Sequence, residues 1–143
     1  MPAKRFALPF LLICALLGAC TRNDPQAALD AAVQQLQDNL EAKDTGAVLK
    51  QLHAQFSAQQ QYDRQWAQRT MALLFLRHKQ VRVLALGTRS TVDPTYSSKG
   101  HTQAEIALTG AEGLIPDSAS HYSVTLEWWL EDDEWKLARL DWQ

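Results

Sequence analysis

Trp128-Trp129-Leu130-Glu131-Asp132-Asp133-Glu134-Trp135-Lys136-Leu137 lies near the end of the chain and decides the fold. Apolar residues alternate on both sides of Asp132-Asp133, which reads as two strands joined by a turn. A two-residue turn there pairs Glu131 with Glu134 and sets the faces. One face carries Tyr122, Val124, Leu126, Trp128 and Leu130 with Trp135, Leu137, Arg139 and Asp141. The other carries Ser123, Thr125, Glu127 and Trp129 with Lys136, Ala138, Leu140 and Trp142. The first face is the more continuously apolar and is expected to meet the core. Asp-Asp is not a favoured pair for a tight primed turn, and a bulge would flip part of this assignment.

Upstream, two more strands are legible. Val81, Val83 and Ala85 alternate with Arg82, Leu84 and Leu86, and β-prone residues continue to Val92. After the Asp93-Pro94 and Ser97-Ser98-Lys99-Gly100 turn signals, Thr102, Ala104, Ile106 and Leu108 alternate with polar neighbours. Gly110 to Ser120 reads as a loop with Leu114-Ile115 at its tip.

The first half of the chain has a helical period instead. Asp24-Pro25 starts a helix to about residue 42, with Leu29, Ala32, Val33, Leu36 and Leu40 as its apolar stripe. Asp44 or Thr45 caps a short second helix bearing Val48, Leu49, Leu52 and Phe56. Residues 57–62 are polar and read as a loop. Asp63 caps a third helix from Arg64 to about His78, apolar on several sides in its second half and expected to be the most buried. Three helices followed by about four antiparallel strands give an α+β order.

Residues 1–20 say where the protein goes. Lys4-Arg5 precede an apolar run from Phe6 to Leu17, twelve residues against the about 20 that span a bilayer. Leu17-Gly18-Ala19-Cys20 follows and resembles the lipobox of bacterial lipoproteins. That resemblance implies a signal peptide over residues 1–19, lipid on Cys20 and a tether over residues 20–24. Thr21, where inner-membrane lipoproteins of enteric bacteria carry Asp, implies the outer membrane facing the periplasm. Cys14 would leave with the signal, so no disulfide can form within the domain. Removing residues 1–19 from 143 leaves 124, enough for a single core. Those 124 residues hold 12 Lys and Arg against 16 Asp and Glu, which argues against nucleic acid and against an electrostatic hold on anionic lipid.

The stretches Leu40-Glu41-Ala42-Lys43-Asp44, Val48-Leu49-Lys50-Gln51-Leu52-His53 and the closing Trp128 to Leu137 are similar to the nuclear transport factor 2-like superfamily, across about residues 25–143. The resemblance implies three helices packed on a curved sheet, a cone with an internal pocket. It does not select among isomerases, dehydratases, hydrolases, binding domains and dimer modules.

Candidate chemistry is sparse. An inward Asp141 with Arg139 and Tyr122 nearby would form a buried acid set in such a pocket; a solvated strand end is the competing reading. Phe56, Tyr62 and Trp66 stand where aromatics would line a ligand pocket or fill core. Trp129, Leu140 and Trp142 would form an apolar patch on the outer sheet face, for a homodimer or an envelope partner, unless a cation covers Trp129 locally. His53, His78, His101 and His121 lack paired ligand spacing, so no metal is expected. No phosphate loop or nucleophile elbow occurs, and no cofactor is expected. The leading expectation is a non-catalytic, lipid-anchored domain binding a small apolar ligand or an envelope protein. An enzyme for a small hydrophobic substrate and a dimeric interaction module are the alternatives.

Overall fold

A computed structural model describes residues 24–110, 113–114 and 121–143. The expected signal peptide, Cys20 and the expected tether up to residue 23 lie outside the described residues, as does Ile115.

The helices start where side-chain acceptors meet orphan amides. Asp24 accepts from the Gln26 N–H at the start of α1 (Pro25–Glu41), Asp44 from Ala47 at α2 (Thr45–Gln51), and Asp63 from Trp66 at α3 (Arg64–Arg77). All three lack an acid in their first turn, so the capping carboxylate supplies the charge that complements the helix dipole.

The sheet is mixed, in the order β1-β6-β5-β3-β2. Its long members are β2 (Arg82–Val92), β3 (Lys99–Gly110), β5 (Tyr122–Glu131) and β6 (Glu134–Trp142). A two-residue β4 (Gly113–Leu114) pairs with β3. The further strand, β1 (Leu52–Ala58), runs parallel to β6. The expectation of a second helix through Phe56 and a loop over residues 57–62 is therefore corrected. The helix ends at Gln51, the strand follows directly, and only Gln59 to Gln61 turn the chain. Gln59 and Gln60 take left-handed backbone there (φ 50° and 59°). The Gln59 side chain then donates to the Trp142 carbonyl and accepts from the Trp142 N–H, fastening the last strand.

The closing hairpin turns on Asp132 and Asp133, both left-handed (φ 50° and 63°). Asp tolerates this conformation better than most residues. Glu131 pairs with Glu134 and Trp128 with Leu137, as a two-residue turn requires. Beyond that point the register shifts. Glu127 pairs with Arg139 and Leu126 with Leu140, so Ala138 is an extra residue on β6. The bulge exchanges the faces of every later residue. Leu140 and Trp142 turn inward, and Arg139 and Asp141 turn outward, the reverse of the expected assignment.

Two close approaches fix α1 on the sheet. Leu29 is fully buried against Gly100, where an added Cβ would stand 2.8 Å from a leucine methyl. Trp135 donates its indole N–H to the Pro25 carbonyl at 3.2 Å. The polar side of α1 then caps the edge strand β2. Gln26 bonds both the Ser90 carbonyl and the Val92 N–H, Gln37 donates to the Val83 carbonyl, and Glu41 accepts from the Val83 N–H. The glutamines of this helix thus satisfy backbone groups that an open edge would expose. The core at this end is Leu29, Leu52, Phe56, Trp128, Trp135 and Leu137. Every buried side chain among the described residues lies between Leu29 and Ala138.

The second half of α3 is not buried as expected: Ala67 and Met71 are buried, but Leu73 is 50% and Leu76 is 85% exposed. The helix packs against α2 and β1 and leaves the far half of the sheet uncovered.

Candidate binding cavity

The uncovered half of the sheet encloses a cavity of about 460 Å³. Its floor is the inward face of the sheet: Val83 and Ala85 of β2, Ala104, Ile106 and Leu108 of β3, Tyr122 and Val124 of β5, Leu140 and Trp142 of β6. Its roof is Leu36 and Leu40 of α1 with Trp66, Met71 and Leu74 of α3. The space persists for a local reason. Ala85, Thr88, Thr102 and Ala104 are small, and the helix that would fill the gap packs elsewhere. An apolar lining of this size is what a small-molecule site requires.

Among the described residues, no Asp, Glu, His, Lys or Arg lines the cavity. Its polar groups are few, and two of them are already engaged. The Gln37 amide donates to the Val83 carbonyl at 3.0 Å. The Thr102 hydroxyl, 1% exposed, accepts from the Trp128 indole at 3.1 Å and shares a hydrogen bond with Ser90 at 2.9 Å. Burial of this threonine is thus matched by partners. Tyr122 brings the one ionisable side chain among the described lining residues.

One end of the cavity is closed by stacked rings. Tyr62 stacks on Trp66 at 4.7 Å between centroids, and Trp66 on Trp142 at 5.9 Å, with interplanar angles of 19° and 12°. Of the aromatics expected at a pocket, Phe56 and Trp66 line the cavity, and Tyr62 backs Trp66 from outside it. Trp142, expected on the outer face, completes the stack through the bulge at Ala138. Its signal in the sequence is the odd spacing of Trp135, Leu137, Leu140 and Trp142, whose middle step is three.

The expected catalytic set is not assembled. Tyr122 faces the cavity, but Arg139 and Asp141 stand on the opposite face of the sheet. Arg139 lies 4.8 Å from the Trp129 ring centroid and donates to the Gln55 and Ala138 carbonyls, each at 2.8 Å. Asp141 pairs across the strands with Thr125. The expected outer patch of Trp129, Leu140 and Trp142 is likewise reduced to Trp129. That ring meets His53 edge-on at 4.7 Å and donates its indole N–H to Glu127 at 2.7 Å. Arg139, not the paired Lys136, supplies the cation over it; Lys136 reaches Glu134 and the Lys50 carbonyl instead. Trp129 is therefore half-buried by its own neighbours.

The histidines are dispersed. His53 contacts Glu131 at 2.7 Å, His101 contacts Asp93 at 3.5 Å, and His78 ends α3. Among the described residues no three His, Cys, Asp or Glu side chains converge. Asp93 accepts the Tyr96 and Thr95 N–H groups at 2.9 and 2.8 Å. These bonds hold its carboxyl below the ordinary carboxylate pKa, and His101 adds a smaller effect in the same direction. The site is a structural turn between β2 and β3, on the opposite side of Gly100 from the cavity floor.

No protein-family profile and no curated protein sequence matches the chain. Solved structures do match its fold. Bd1075 from Bdellovibrio bacteriovorus superposes with a TM-score of 0.69 at 11% identity, over 80% of this chain. The chain spans 40% of that protein's length. An NTF2-like protein from Cytophaga hutchinsonii gives 0.63 at 10% identity, covering 82% of this chain and 95% of its own. A hexachlorocyclohexane dehydrochlorinase from Novosphingobium barchaimii gives 0.60 at 14% identity, covering 83% and 88%. At these identities the likeness is one of fold, and the fold is the nuclear transport factor 2-like cone.

Proposed function

We propose, on the premise of a nuclear transport factor 2-like cone that is hollow at one end, that this protein binds a small apolar molecule in the cavity. The observation that carries this reading is a cavity of about 460 Å³ whose described lining residues carry no charge. Displacing water from such a surface favours an apolar occupant by about 25 cal/mol per Å² removed from water. It offers no counter-charge for a buried ion. General acid–base chemistry would need titratable groups inside, and Tyr122 is the one such group among the described lining residues. Binding without chemistry is therefore the better-supported use of this cavity.

The domain works from a membrane. Cys20 carries the lipid, residues 21–24 form the tether, and the cone faces the periplasm from the outer membrane. The lipobox residues Leu17-Gly18-Ala19-Cys20 support this placement. Within the described residues no helix is long and apolar enough to cross a membrane. Replacing Cys20→Ser is expected to abolish palmitate labelling; normal labelling would remove the anchor from the account.

Cavity occupancy is tested with Ala104→Phe, which places a ring inside the floor. Titration with the apolar fluorophore N-phenyl-1-naphthylamine should show saturable binding to the wild type and at least a tenfold weaker constant for Ala104→Phe. Equal binding by both proteins would place the ligand elsewhere.

A further inference from the structure

Helix α1 closes the β2 edge at two places and leaves it open between them. Gln37 and Glu41 hold Val83 at one place, and Gln26 holds Ser90 and Val92 at the other. Gln26 and Gln37 stand about 16 Å apart at the helical rise. Ala85 and Thr88 lie in this window, line the cavity and are exposed, so the cavity opens here. Thr88 is two residues from Ser90, so its backbone groups face α1 as the Ser90 carbonyl does. Among the described residues no α1 side chain bonds them.

A polar crevice of about 170 Å³ adjoins this opening. Asp30, Val33, Gln34 and Gln37 of α1 form one side, and Thr88 and Ser90 of β2 the other. Val33, Gln37 and Thr88 line both spaces, so the crevice and the cavity meet at these three side chains. The side chains of the crevice have already placed their amide donors. Gln34 donates to the Asp38 carboxylate at 2.9 Å and Gln37 to the Val83 carbonyl at 3.0 Å. What remains is accepting capacity: the Gln34 and Gln37 amide oxygens and one oxygen of Asp30, whose other oxygen accepts from Gln26 at 3.1 Å. The local charge has the same sense. α1 carries Asp30, Asp38 and Glu41 and no Lys or Arg. Arg82 and Arg89 alternate with Val83 and Thr88 and so stand on the outer sheet face. Lys43, which holds the His78 and Lys79 carbonyls, is about 20 Å along α1 from Asp30.

We propose that the ligand is an amphiphile whose head is an amine, held in the crevice by Asp30, and whose apolar body fills the cavity. This rests on the reading of the cavity as a ligand site. An ammonium head has three N–H donors and no acceptor, which matches a crevice left with acceptors. It cannot enter the cavity, because an unpaired ion buried there would lose its hydration without compensation. In the crevice it keeps contact with water and gains a carboxylate. At about 30 Å³ per water-sized group, the cavity holds about 15 non-hydrogen atoms, which sets the size of the body.

The test compares dodecylamine, dodecanol and dodecanoate, probes of equal carbon count, near neutral pH. Each is titrated against protein loaded with N-phenyl-1-naphthylamine, and displacement is read by loss of the dye's emission. Dodecylamine should bind about fivefold tighter than dodecanol, as one exposed charge contact allows, and dodecanoate weakest of the three. The excess of amine over alcohol should fall with added salt. It should vanish in Asp30→Asn, which keeps an acceptor for Gln26, while dodecanol binding is unchanged. Asp38→Asn removes an equal charge from α1 outside the crevice and should leave the excess intact. Equal affinity for amine and alcohol, or an excess that survives Asp30→Asn or falls as far in Asp38→Asn, would overturn the amine head and leave an apolar-ligand site standing. Failure of all three probes to displace the dye would overturn the cavity reading as well.

Discussion

The two ends of this cone are built from the same alternating strands and have opposite interiors. At the end where α1 begins, Trp128 and Leu29 are fully buried, Trp135 is pinned to Pro25, and Gly100 lets α1 touch the sheet. At the other end the inward positions of β2 and β3 hold Ala85, Thr88 and Ala104, α3 stands away, and Ile106, Tyr122 and Val124 remain half-exposed. Alternation, reset by the bulge at Ala138, thus sets which side chains point inward. Their size, and the placement of one helix, sets whether the interior is solid. Stability belongs to the first end, and room for a ligand to the second.

The contrast breaks most directly under truncation. Trp128→Ala should cost about 3–5 kcal/mol, because a fully buried ring leaves a void that its neighbours cannot fill. Ile106→Ala at the hollow end should cost only about 1 kcal/mol, since its side chain already lacks partners on one side. Urea unfolding of both variants checks this, and equal costs would mean that the two ends are equally packed. Gly100→Ala should destabilise by about 1–3 kcal/mol through collision with Leu29. Adding Leu29→Ala to that variant sharpens the point: the two losses should combine to less than their sum. The smallest effect concerns Asp93, beside the packed end. Its pKa is lower folded than unfolded, so its contribution is present above about pH 4 and is lost as pH falls through the lowered folded value. Wild type and Asp93→Asn should therefore converge in stability below about pH 4. A difference independent of pH would show that the turn does not depend on the charge.

Local patterns disclosed the elements and missed three tertiary facts. The caps at Asp24, Asp44 and Asp63 were legible because capping is a property of neighbours in sequence. Strand β1 was not, because Leu49, Leu52 and Phe56 recur at helical spacings; a parallel partner 82 to 85 residues away makes Leu52 to Ala58 a strand. The bulge at Ala138 was written only as a step of three among Trp135, Leu137, Leu140 and Trp142. That single residue separates an expected acid site at Asp141 and Arg139 from the aromatic wall at Trp142. The second half of α3 is apolar on several sides, a pattern that normally means burial. Here it borders an opening, and the sequence carries no mark of what a helix fails to touch.

The central claim is that the hollow end holds a small molecule. Native mass spectrometry of the domain, purified without denaturant, tests it most directly. A folded species heavier than the bare chain by one small-molecule ligand is expected, with loss of that mass in Ala104→Phe. A wild-type domain that is folded, unliganded and indifferent to added N-phenyl-1-naphthylamine would contradict it.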